Sequence, residues 1–465
     1  MGVYLNSRKS GSVFRRTAQS LYFVDKTAIL DELIPTVEQK KTAEDGQELG
    51  SGRDIWYICI TRPRRFGKTV MASMIASYFG KGEPSREAFQ GLEIGKSARF
   101  EEHLNRHNVI YISFNEVPDE CRTYEQYISR IKKRLLGDLR TAYPDAGFTK
   151  DDAVWDALYE TYMAHESSGE KFIFVLDEWD FIYHQDFATD GDKRNFTKFL
   201  SVLLKDQPYV EMAYMTGILP IAKYSSGSEL NMFCEYTMAS EERYADYFGF
   251  VDSEVDALYE TYMAQDIHPR NVTREGLRCW YDGYHTKAGE RVYNPRSVVL
   301  ALNNNNLGNY WTSSGPYDEL FYYIGANVDA VKDDVGLMIA DIPVPAKVRE
   351  YAATSMELKT RDEIFSAMVV YGFLNYENGC VSIPNKELLD KFSDMVQKEQ
   401  SLGNVYRLTR ESGRMLRATK AGDTKTMEEI LEFVHHTESP LQVYGNEAEL
   451  APIIRWAYLQ AIDYY

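Results

Sequence analysis

The chain has 465 residues, of which 44% are hydrophobic and 26% are charged, a balance that excludes a wholly disordered protein. Its formal net charge is −18 at pH 7, which argues against a protein that coats nucleic acids or membranes through general charge attraction. At about 150 residues per domain, this length predicts about three domains.

The five cysteines stand singly and form no CxxC pair. Such a set argues against a disulfide framework or a structural zinc site and is typical of a reducing compartment. No apolar run marks a signal peptide or a membrane span, so we expect a cytoplasmic protein without membrane contact. Residues 1–70 contain 12 Lys and Arg against 8 Asp and Glu, a net charge of +4. This local bias favours an anionic ligand, although a solvated surface explains it equally well.

The first half of the chain alternates strand and helix patterns. The predicted strands are WYICI (56–60), NVIYISFNE (108–116), FIFVLDE (172–178) and VEMAYMTGI (210–218). Helical spacing is found at 69–79 and 123–143. Buried strands that alternate with helices predict an α/β domain with a mostly parallel sheet.

The second half has a different character. Residues 240–310 are predicted to be mainly helical, and 361–371 form an amphipathic helix. A hairpin signal at Asn378-Gly379 follows, and 386–392 restart a helix. Helix, hairpin and helix are compatible with a winged-helix-like module, and a plain α+β packing unit is the alternative.

The segment TRPRRFGKT (61–69) joins the first strand to the next helix. It matches the end of the phosphate-loop pattern G-x-x-x-x-G-K-[ST], with Arg62 at the place of the first glycine. Backbone N–H groups of such a loop face phosphates, the Lys68 ammonium reaches the β- and γ-phosphates, and the Thr69 hydroxyl binds Mg²⁺. Arg62, Arg64 and Arg65 add three guanidinium groups within four residues. The predicted nucleotide-binding residues are Pro63, Arg64, Arg65, Phe66, Gly67, Lys68 and Thr69.

The third strand ends in VLDEWD (175–180), an apolar run followed by two carboxylates. This is a Walker B pattern, in which Asp177 holds Mg²⁺ and Glu178 acts on the attacking water. Strand alternation predicts that the two side chains point to opposite sides of the strand. A buried strand with two solvated carboxylates is the alternative. The presence of both patterns, with an extra βα unit at 108–143 between them, indicates the additional-strand class of P-loop ATPases.

Thr216 ends the next predicted strand, where this class carries a polar residue that senses the γ-phosphate. The alternative is a threonine that caps the turn before Gly217. Several arginines lie beyond it, and the sequence does not choose a sensor or finger residue among Arg243, Arg274, Arg278, Arg291 and Arg296.

These residues resemble the bacterial AAA-ATPase-like family, which pairs an N-terminal P-loop ATPase with a C-terminal PD-(D/E)XK nuclease-like domain. The segments that carry the resemblance include MGVYLN (1–6), LYFVDKT (21–27), RPRRFGKT (62–69), VLDEWD (175–180), TGILPIAKY (216–224), WYDGY (280–284), VYNPRSVV (292–299), YWTSSG (310–315), MVVYGFLNYENGCVSIPNKEL (368–388) and NEAELAPIIRWAYLQAIDYY (446–465). The resemblance implies that Arg62 is the family's own form of the loop. It also implies that Lys68 and Thr69 contact nucleotide and that Asp177 and Glu178 act on Mg²⁺ and water.

The sequence departs from the family at its C-terminal end, where the strands that carry the nuclease-like acidic residues are not found, although Glu447 could match an early acidic residue of that fold. We therefore expect no nuclease activity from these residues. The predicted domains are an ATPase core at 1–235, a helical lid at 236–330, a helical and winged-helix-like region at 331–440, and the start of a nuclease-like domain at 441–465.

The leading hypothesis is an ATPase that uses ATP and Mg²⁺ and drives or gates a protein partner or a C-terminal effector domain. The first alternative is a nucleotide-gated switch with little turnover. The second is a DNA-associated module at 361–392. This segment holds three basic and five acidic residues, a charge balance that is unfavourable to phosphate contacts. The oligomeric state and nucleic-acid binding stay open.

Overall fold

A computed structural model describes residues 2–38, 55–165, 170–221, 229–238, 243–286, 288–311, 328–348, 358, 360–398, 404–438, 454, 457 and 458. Of the predicted start of a nuclease-like domain at 441–465, only residues 454, 457 and 458 are described, so Glu447 lies outside the described residues. Residues 222–224 and 312–315 of the segments that resemble the family also lie outside them. The chain divides into two compact units, 1–265 with 286–288, and 266–285 with 289–465.

The first unit contains one parallel sheet surrounded by helices. Its elements are α1 (Arg8–Ala18), α2 (Ile29–Glu38), β1 (Tyr57–Thr61), α3 (Lys68–Phe79), α4 (Arg86–Phe89), α5 (Phe100–His103), β2 (Asn108–Ser113), α6 (Tyr124–Ala142), α7 (Val154–Ala164), β3 (Phe172–Asp177), α8 (Asp190–Leu204), β4 (Val210–Gly217), β5 (Cys234–Tyr236) and α9 (Asp252–Met263). Every residue of β3 is buried, as its continuous apolar sequence predicts.

The strand order is β2-β3-β4-β1-β5, and all neighbouring strands are parallel. Strand β4 therefore lies between β1, which leads into the predicted phosphate loop, and β3, which ends at Asp177, the first of the predicted Walker B carboxylates. This inserted strand defines the additional-strand form of the P-loop fold, so the predicted α/β fold class is confirmed. Carboxyl ends of parallel strands share one sheet edge, and ligands bind there in open α/β sheets.

The N-terminal segment is fixed to this unit by one buried carboxylate. Asp138 of α6 accepts hydrogen bonds from the backbone N–H groups of Val3, Tyr4 and Leu5 at 2.9, 2.6 and 3.1 Å. A Cβ atom on Gly2 would stand 2.1 Å from the Asp138 Cγ, so only glycine fits. The MGVYLN segment is thus explained by packing rather than by ligand chemistry.

The second unit contains short strands and helices. Its elements are α10 (Arg274–Tyr281), β6 (Tyr284–His285), β7 (Arg291–Val292), α11 (Pro295–Asn304), α12 (Val328–Ile339), β8 (Val344–Pro345), α13 (Arg361–Tyr371), β9 (Asn375–Glu377), β10 (Cys380–Ser382), α14 (Lys386–Lys398), α15 (Asn404–Ala421) and α16 (Thr424–Glu438). The predicted order of helix, hairpin and helix is present in α13, β9, β10 and α14. Strand β8 pairs antiparallel with β10, and the relation to a winged helix stays a prediction.

A buried glutamate organises this second unit. Glu387 of α14 is 2% exposed and accepts hydrogen bonds from the backbone N–H groups of Tyr310 and Trp311 and from the Ser297 hydroxyl. Burial raises the pKa of Glu387 to about 7, and the three hydrogen bonds act in the opposite direction. Among the described helices of both units, none combines the length and the apolar character that a membrane crossing requires.

Candidate nucleotide-binding site

The predicted phosphate loop connects β1 to the first residue of α3. Its backbone turns through two left-handed residues, Arg65 with φ of 72° and Gly67 with φ of 88°. No atom lies within 4 Å of a Cβ placed on Gly67, so its backbone conformation, not lack of space, requires glycine. The N–H groups in the first turn of α3 have no carbonyl partner within the helix, and the positive end of the helix dipole adds to their attraction for anions.

The Lys68 side chain is buried against its own loop. Its ammonium donates to the backbone carbonyls of Arg62 at 2.9 Å and of Pro63 at 2.8 Å. Burial lowers the pKa of Lys68 to about 8, and the charges of Asp180, Glu178 and Asp177 oppose that shift. The amino group from the loop and the three carboxylates from the end of β3 therefore occupy one electrostatic environment.

Arg62 does not join the other two loop arginines, contrary to the expectation of a cluster of three guanidinium groups. Its side chain is 2% exposed, and its Nη1 atom donates to the carbonyls of Thr61 and Tyr236, both at 2.8 Å. The guanidinium carbon also lies 5.0 Å from the ring centre of Phe248. Burial lowers the pKa of Arg62 to about 10. The residue at the first-glycine position is therefore a core residue.

The remaining loop residues differ in exposure. Pro63 and Phe66 are buried, with Phe66 only 1% exposed, whereas Arg64 and Arg65 are half-buried. The Phe66 ring packs inside the unit, so this residue offers a ligand its backbone rather than its side chain. Thr69, on the first turn of α3, is exposed.

Asp177 is the last residue of β3 and is fully buried. It lies in register with Ser113 of β2 and Thr216 of β4. Burial and the charge of Glu178 raise the pKa of Asp177 to about 7, while Thr69, Lys68 and Ser113 act to lower it. Its carboxylate is therefore close to both the loop lysine and the hydroxyl at the start of α3.

The donor set at this point fits a magnesium ion. Among the described residues, none donates a hydrogen bond to the buried Asp177 Oδ1 atom. An unsatisfied buried carboxylate oxygen is costly without a cation or a hydrogen bond. Together with the Thr69 hydroxyl it supplies oxygen ligands, which Mg²⁺ prefers.

Glu178 follows the strand with a left-handed backbone, φ of 52°. The expected alternation of Asp177 and Glu178 along one strand is therefore wrong, because β3 ends at Asp177 and the chain leaves the pleat at the next residue. A left-handed backbone in a non-glycine residue costs of order 1–3 kcal/mol and is frequent at functional sites. The Glu178 side chain is half-buried, and the left-handed backbone at this residue sets the direction in which it leaves the chain.

Thr216 is fully buried in β4. Its hydroxyl donates to the backbone carbonyl of Ile60 in β1 at 2.9 Å. Thr216 thus lies between the strand that precedes the phosphate loop and the strand that carries Asp177.

Asp180 is a buried residue of this region that the sequence reasoning did not single out. Its Oδ2 atom accepts hydrogen bonds from the backbone N–H groups of Ile218 at 3.0 Å and Leu219 at 2.9 Å. Of the carboxylates that act on Lys68, it has the largest effect on the pKa. The signal was present in VLDEWD, as a third acidic residue three positions after Asp177.

Two of the arginines considered as sensors, Arg243 and Arg274, have local partners. Arg243 of the first unit pairs with Glu32 at 3.7 Å and lies over the Tyr244 ring. Within the second unit, Arg274 donates to the Tyr293 hydroxyl at 3.0 Å.

Comparison with known proteins supports the reading of the first unit. Residues 51–226 match the family model for AAA-ATPase-like proteins, described as a predicted AAA-ATPase. This range contains β1 to β4, the loop and both carboxylate positions. The resemblance found in the sequence is therefore confirmed for this segment, which is similar to AAA-ATPase-like proteins. The association with a nuclease-like domain stays a prediction.

A curated relative is the uncharacterized protein in the vnfD 5′ region of Azotobacter chroococcum mcd 1, which is 26% identical over 308 residues. The alignment covers 64% of this chain and 52% of the relative, so the chain spans about half the length of the curated relative it matches.

Among solved structures, the chain is similar to a Walker-type ATPase of Pyrococcus abyssi, with a TM-score of 0.39 and 11% identity over 77% of this chain and 94% of that one. It is also similar to the ORC2 protein of Aeropyrum pernix in its ADPNP–ADP complexes, with a TM-score of 0.34 and 10% identity over 80% and 93% of the two chains. Both scores are low, so the fold assignment rests on the strand order and register described above.

Proposed function

We propose that the first unit binds ATP and hydrolyses it to ADP and phosphate. The observation that carries this proposal is the shared electrostatic environment of Lys68, at the end of the loop, and Asp177, at the end of β3. Two motifs about 110 residues apart in sequence are brought to one edge of a parallel sheet, where α/β proteins bind ligands.

ATP binding begins with an exchange of partners at Lys68. Without nucleotide, its ammonium donates to the carbonyls of Arg62 and Pro63. With ATP, the phosphate oxygens replace these carbonyls and form stronger, charge-assisted hydrogen bonds. The loop N–H groups and the start of α3 supply further partners for the phosphates.

Thr69 and Asp177 would hold Mg²⁺, which when bound neutralises charge on the phosphates. In this proposal Glu178 orients a water molecule and accepts its proton. The water oxygen forms a bond to the γ-phosphorus as the bond from that phosphorus to the β-phosphate oxygen breaks. The proton held by Glu178 then leaves with the phosphate, so the site returns to its starting state.

Nucleotide binding should depend on Lys68. Losing a charge-assisted hydrogen bond costs about 1.5–3 kcal/mol, so Lys68→Ala should weaken ATP binding at least about tenfold. Titration calorimetry of both proteins measures the difference. Lys132→Ala is the matched control, since Lys132 is a partly buried lysine on α6 that lies over Trp155 and Phe199. Equal affinities of Lys68→Ala and wild type would overturn the phosphate-loop assignment.

We also propose that the nucleotide state is passed to a protein partner or to a C-terminal effector domain. The support is the family resemblance, in which the ATPase precedes a nuclease-like domain. Hydrogen exchange measured with ATP and with ADP tests this proposal within the chain itself. Coupling predicts a difference in residues of the second unit, and identical exchange there would contradict it.

A further inference from the structure

Asp180 connects the segment that carries Glu178 to the segment that follows Thr216. It follows the Walker B pair by two residues and is 3% exposed. Glu178, which precedes it by two residues, is expected to act on the attacking water. Across from it are the last two residues of β4 and the bend that follows them, here called the 216–219 turn, which begins with the predicted sensor Thr216.

Four hydrogen bonds join the segment 179–180 to this turn. Asp180 Oδ2 accepts from the N–H groups of Ile218 and Leu219. The Trp179 N–H donates to the Thr216 carbonyl at 3.1 Å, and the Trp179 indole N–H donates to the Leu219 carbonyl at 3.2 Å. Backbone groups on the turn are therefore held directly by the residues next to Glu178.

The packing at Gly217 leaves no room for a side chain between these segments. A Cβ atom on Gly217 would stand 2.5 Å from Asp180 Oδ1, 2.5 Å from Trp179 Cδ1 and 2.7 Å from Trp179 Nε1. Real Cβ atoms do not come this close to other heavy atoms, so the close approach of Asp180 and Trp179 to this backbone requires glycine at position 217. Asp180 is also the carboxylate with the largest effect on Lys68.

We propose that Asp180 is a positioning residue that holds the 216–219 turn and Glu178 in the arrangement that distinguishes ATP from ADP. This inference rests on the proposed function. An aspartate is suited to the role because one ionised oxygen can accept two N–H donors. An asparagine retains the shape, but it loses the charge and can present an N–H₂ group to the same donors.

The test compares Asp180→Asn with wild type and with Asp138→Asn. Asp138 is the matched control because it is also a buried aspartate that accepts several backbone N–H groups, but it holds the N-terminal segment. ATP affinity, ADP affinity, turnover per bound nucleotide and melting temperature are measured for all three proteins. We expect both variants to melt earlier. Only Asp180→Asn should lower turnover and the preference for ATP over ADP, each by about tenfold.

A purely structural role would give Asp180→Asn the same turnover per bound nucleotide and the same ATP preference as Asp138→Asn, and that result would overturn the inference. If wild type binds ATP without turnover, the hydrolysis step of the proposed function fails and the ratio of affinities still decides the role of Asp180. If wild type binds neither nucleotide, the proposed function and this inference fall together.

A second measurement serves if Asp180→Asn does not fold. Hydrogen exchange of the Ile218 and Leu219 amides in wild type should be slower with ATP than with ADP, because Asp180 accepts both N–H groups and these amides directly follow the predicted γ-phosphate sensor Thr216. Equal exchange rates with the two nucleotides would overturn the inference.

Discussion

The Arg62 guanidinium donates a hydrogen bond to the backbone carbonyl of Tyr236 at 2.8 Å. This bond connects the residue at the first position of the phosphate loop to the edge strand β5. Strand β5 is only three residues long, and within the part of the chain that the structure describes it pairs with β1 alone. Arg62 therefore replaces the usual glycine with a side chain that holds the edge of the sheet.

Placing the usual glycine of the phosphate-loop pattern at position 62 should lower the stability of the folded protein. Arg62→Gly removes two hydrogen bonds to buried carbonyls and the contact with Phe248. We expect a loss of about 2–4 kcal/mol in the free energy of unfolding, since hydrogen bonds to charged groups contribute about 1.5–3 kcal/mol. Denaturant unfolding measures it, with Arg64→Gly, a change at the half-buried loop arginine, as the control. A stable Arg62→Gly protein with weakened ATP binding would mean that Arg62 contacts phosphate instead.

Thr216 tests the predicted sensor. Thr216→Val keeps the size of the side chain but removes the hydroxyl that donates to Ile60. We expect slower turnover with ADP affinity nearly unchanged, because only ATP carries the γ-phosphate. Phosphate release and ADP titration on the same preparations measure the two quantities. A loss of affinity that is equal for ADP and ATP would identify Thr216 as a structural cap.

The buried Glu387 predicts a pH dependence of stability in the second unit. Its pKa is raised from 4.5 to about 7 in the folded protein. The folded state therefore holds a proton that the unfolded state has lost between these values, and stability from this group is present below pH 4.5 and is lost as pH rises through 7. At about 1.4 kcal/mol per pKa unit, the loss amounts to about 3.5 kcal/mol at most.

Glu387→Gln resembles the protonated glutamate and cannot ionise. The free energy of unfolding of the second unit should fall between pH 5 and pH 8 in wild type, and it should fall less in the variant. Trp311, whose backbone N–H donates to Glu387, provides a fluorescent probe of this region. Parallel pH profiles of the two proteins would show that Glu387 does not titrate in this range.

Several elements of both units were predictable because their patterns are local. The run FIFVLDE becomes β3, the run with helical spacing at 69–79 becomes α3 from Lys68 to Phe79, and Asn378-Gly379 joins β9 to β10. Each depends on the spacing of apolar residues or on one turn signal, which a single sequence displays. The strand-to-helix position of GKT follows from the same patterns.

The directions of individual side chains were not predictable, because they depend on partners distant in sequence. Arg62 turns inward to a carbonyl on β5, 174 positions away. Glu178 leaves the strand in a left-handed conformation, which no periodicity indicates. The sequence likewise does not indicate that Glu38, Glu102 and His103 each place one possible metal-ligand atom within 4.8 Å of the others. Tertiary packing decides all three.

Glu178 separates an ATPase from a nucleotide-gated switch, and Glu178→Gln is the substitution that distinguishes them. It keeps the size and hydrogen-bonding capacity of the side chain but removes its charge and basicity. Lys68, Thr69 and Asp177 are unchanged, so ATP should bind at least as tightly as in wild type. The left-handed backbone at this position accommodates glutamine as it does glutamate.

The most direct measurement is phosphate release by purified wild type and Glu178→Gln, with ATP affinity measured in parallel. A positioned general base contributes typically ~10²–10⁴-fold, so turnover should fall at least about a hundredfold while ATP binding is retained. Equal rates above background would remove Glu178 from the mechanism, and a wild-type protein that binds ATP without measurable turnover would contradict the ATPase account and favour the switch.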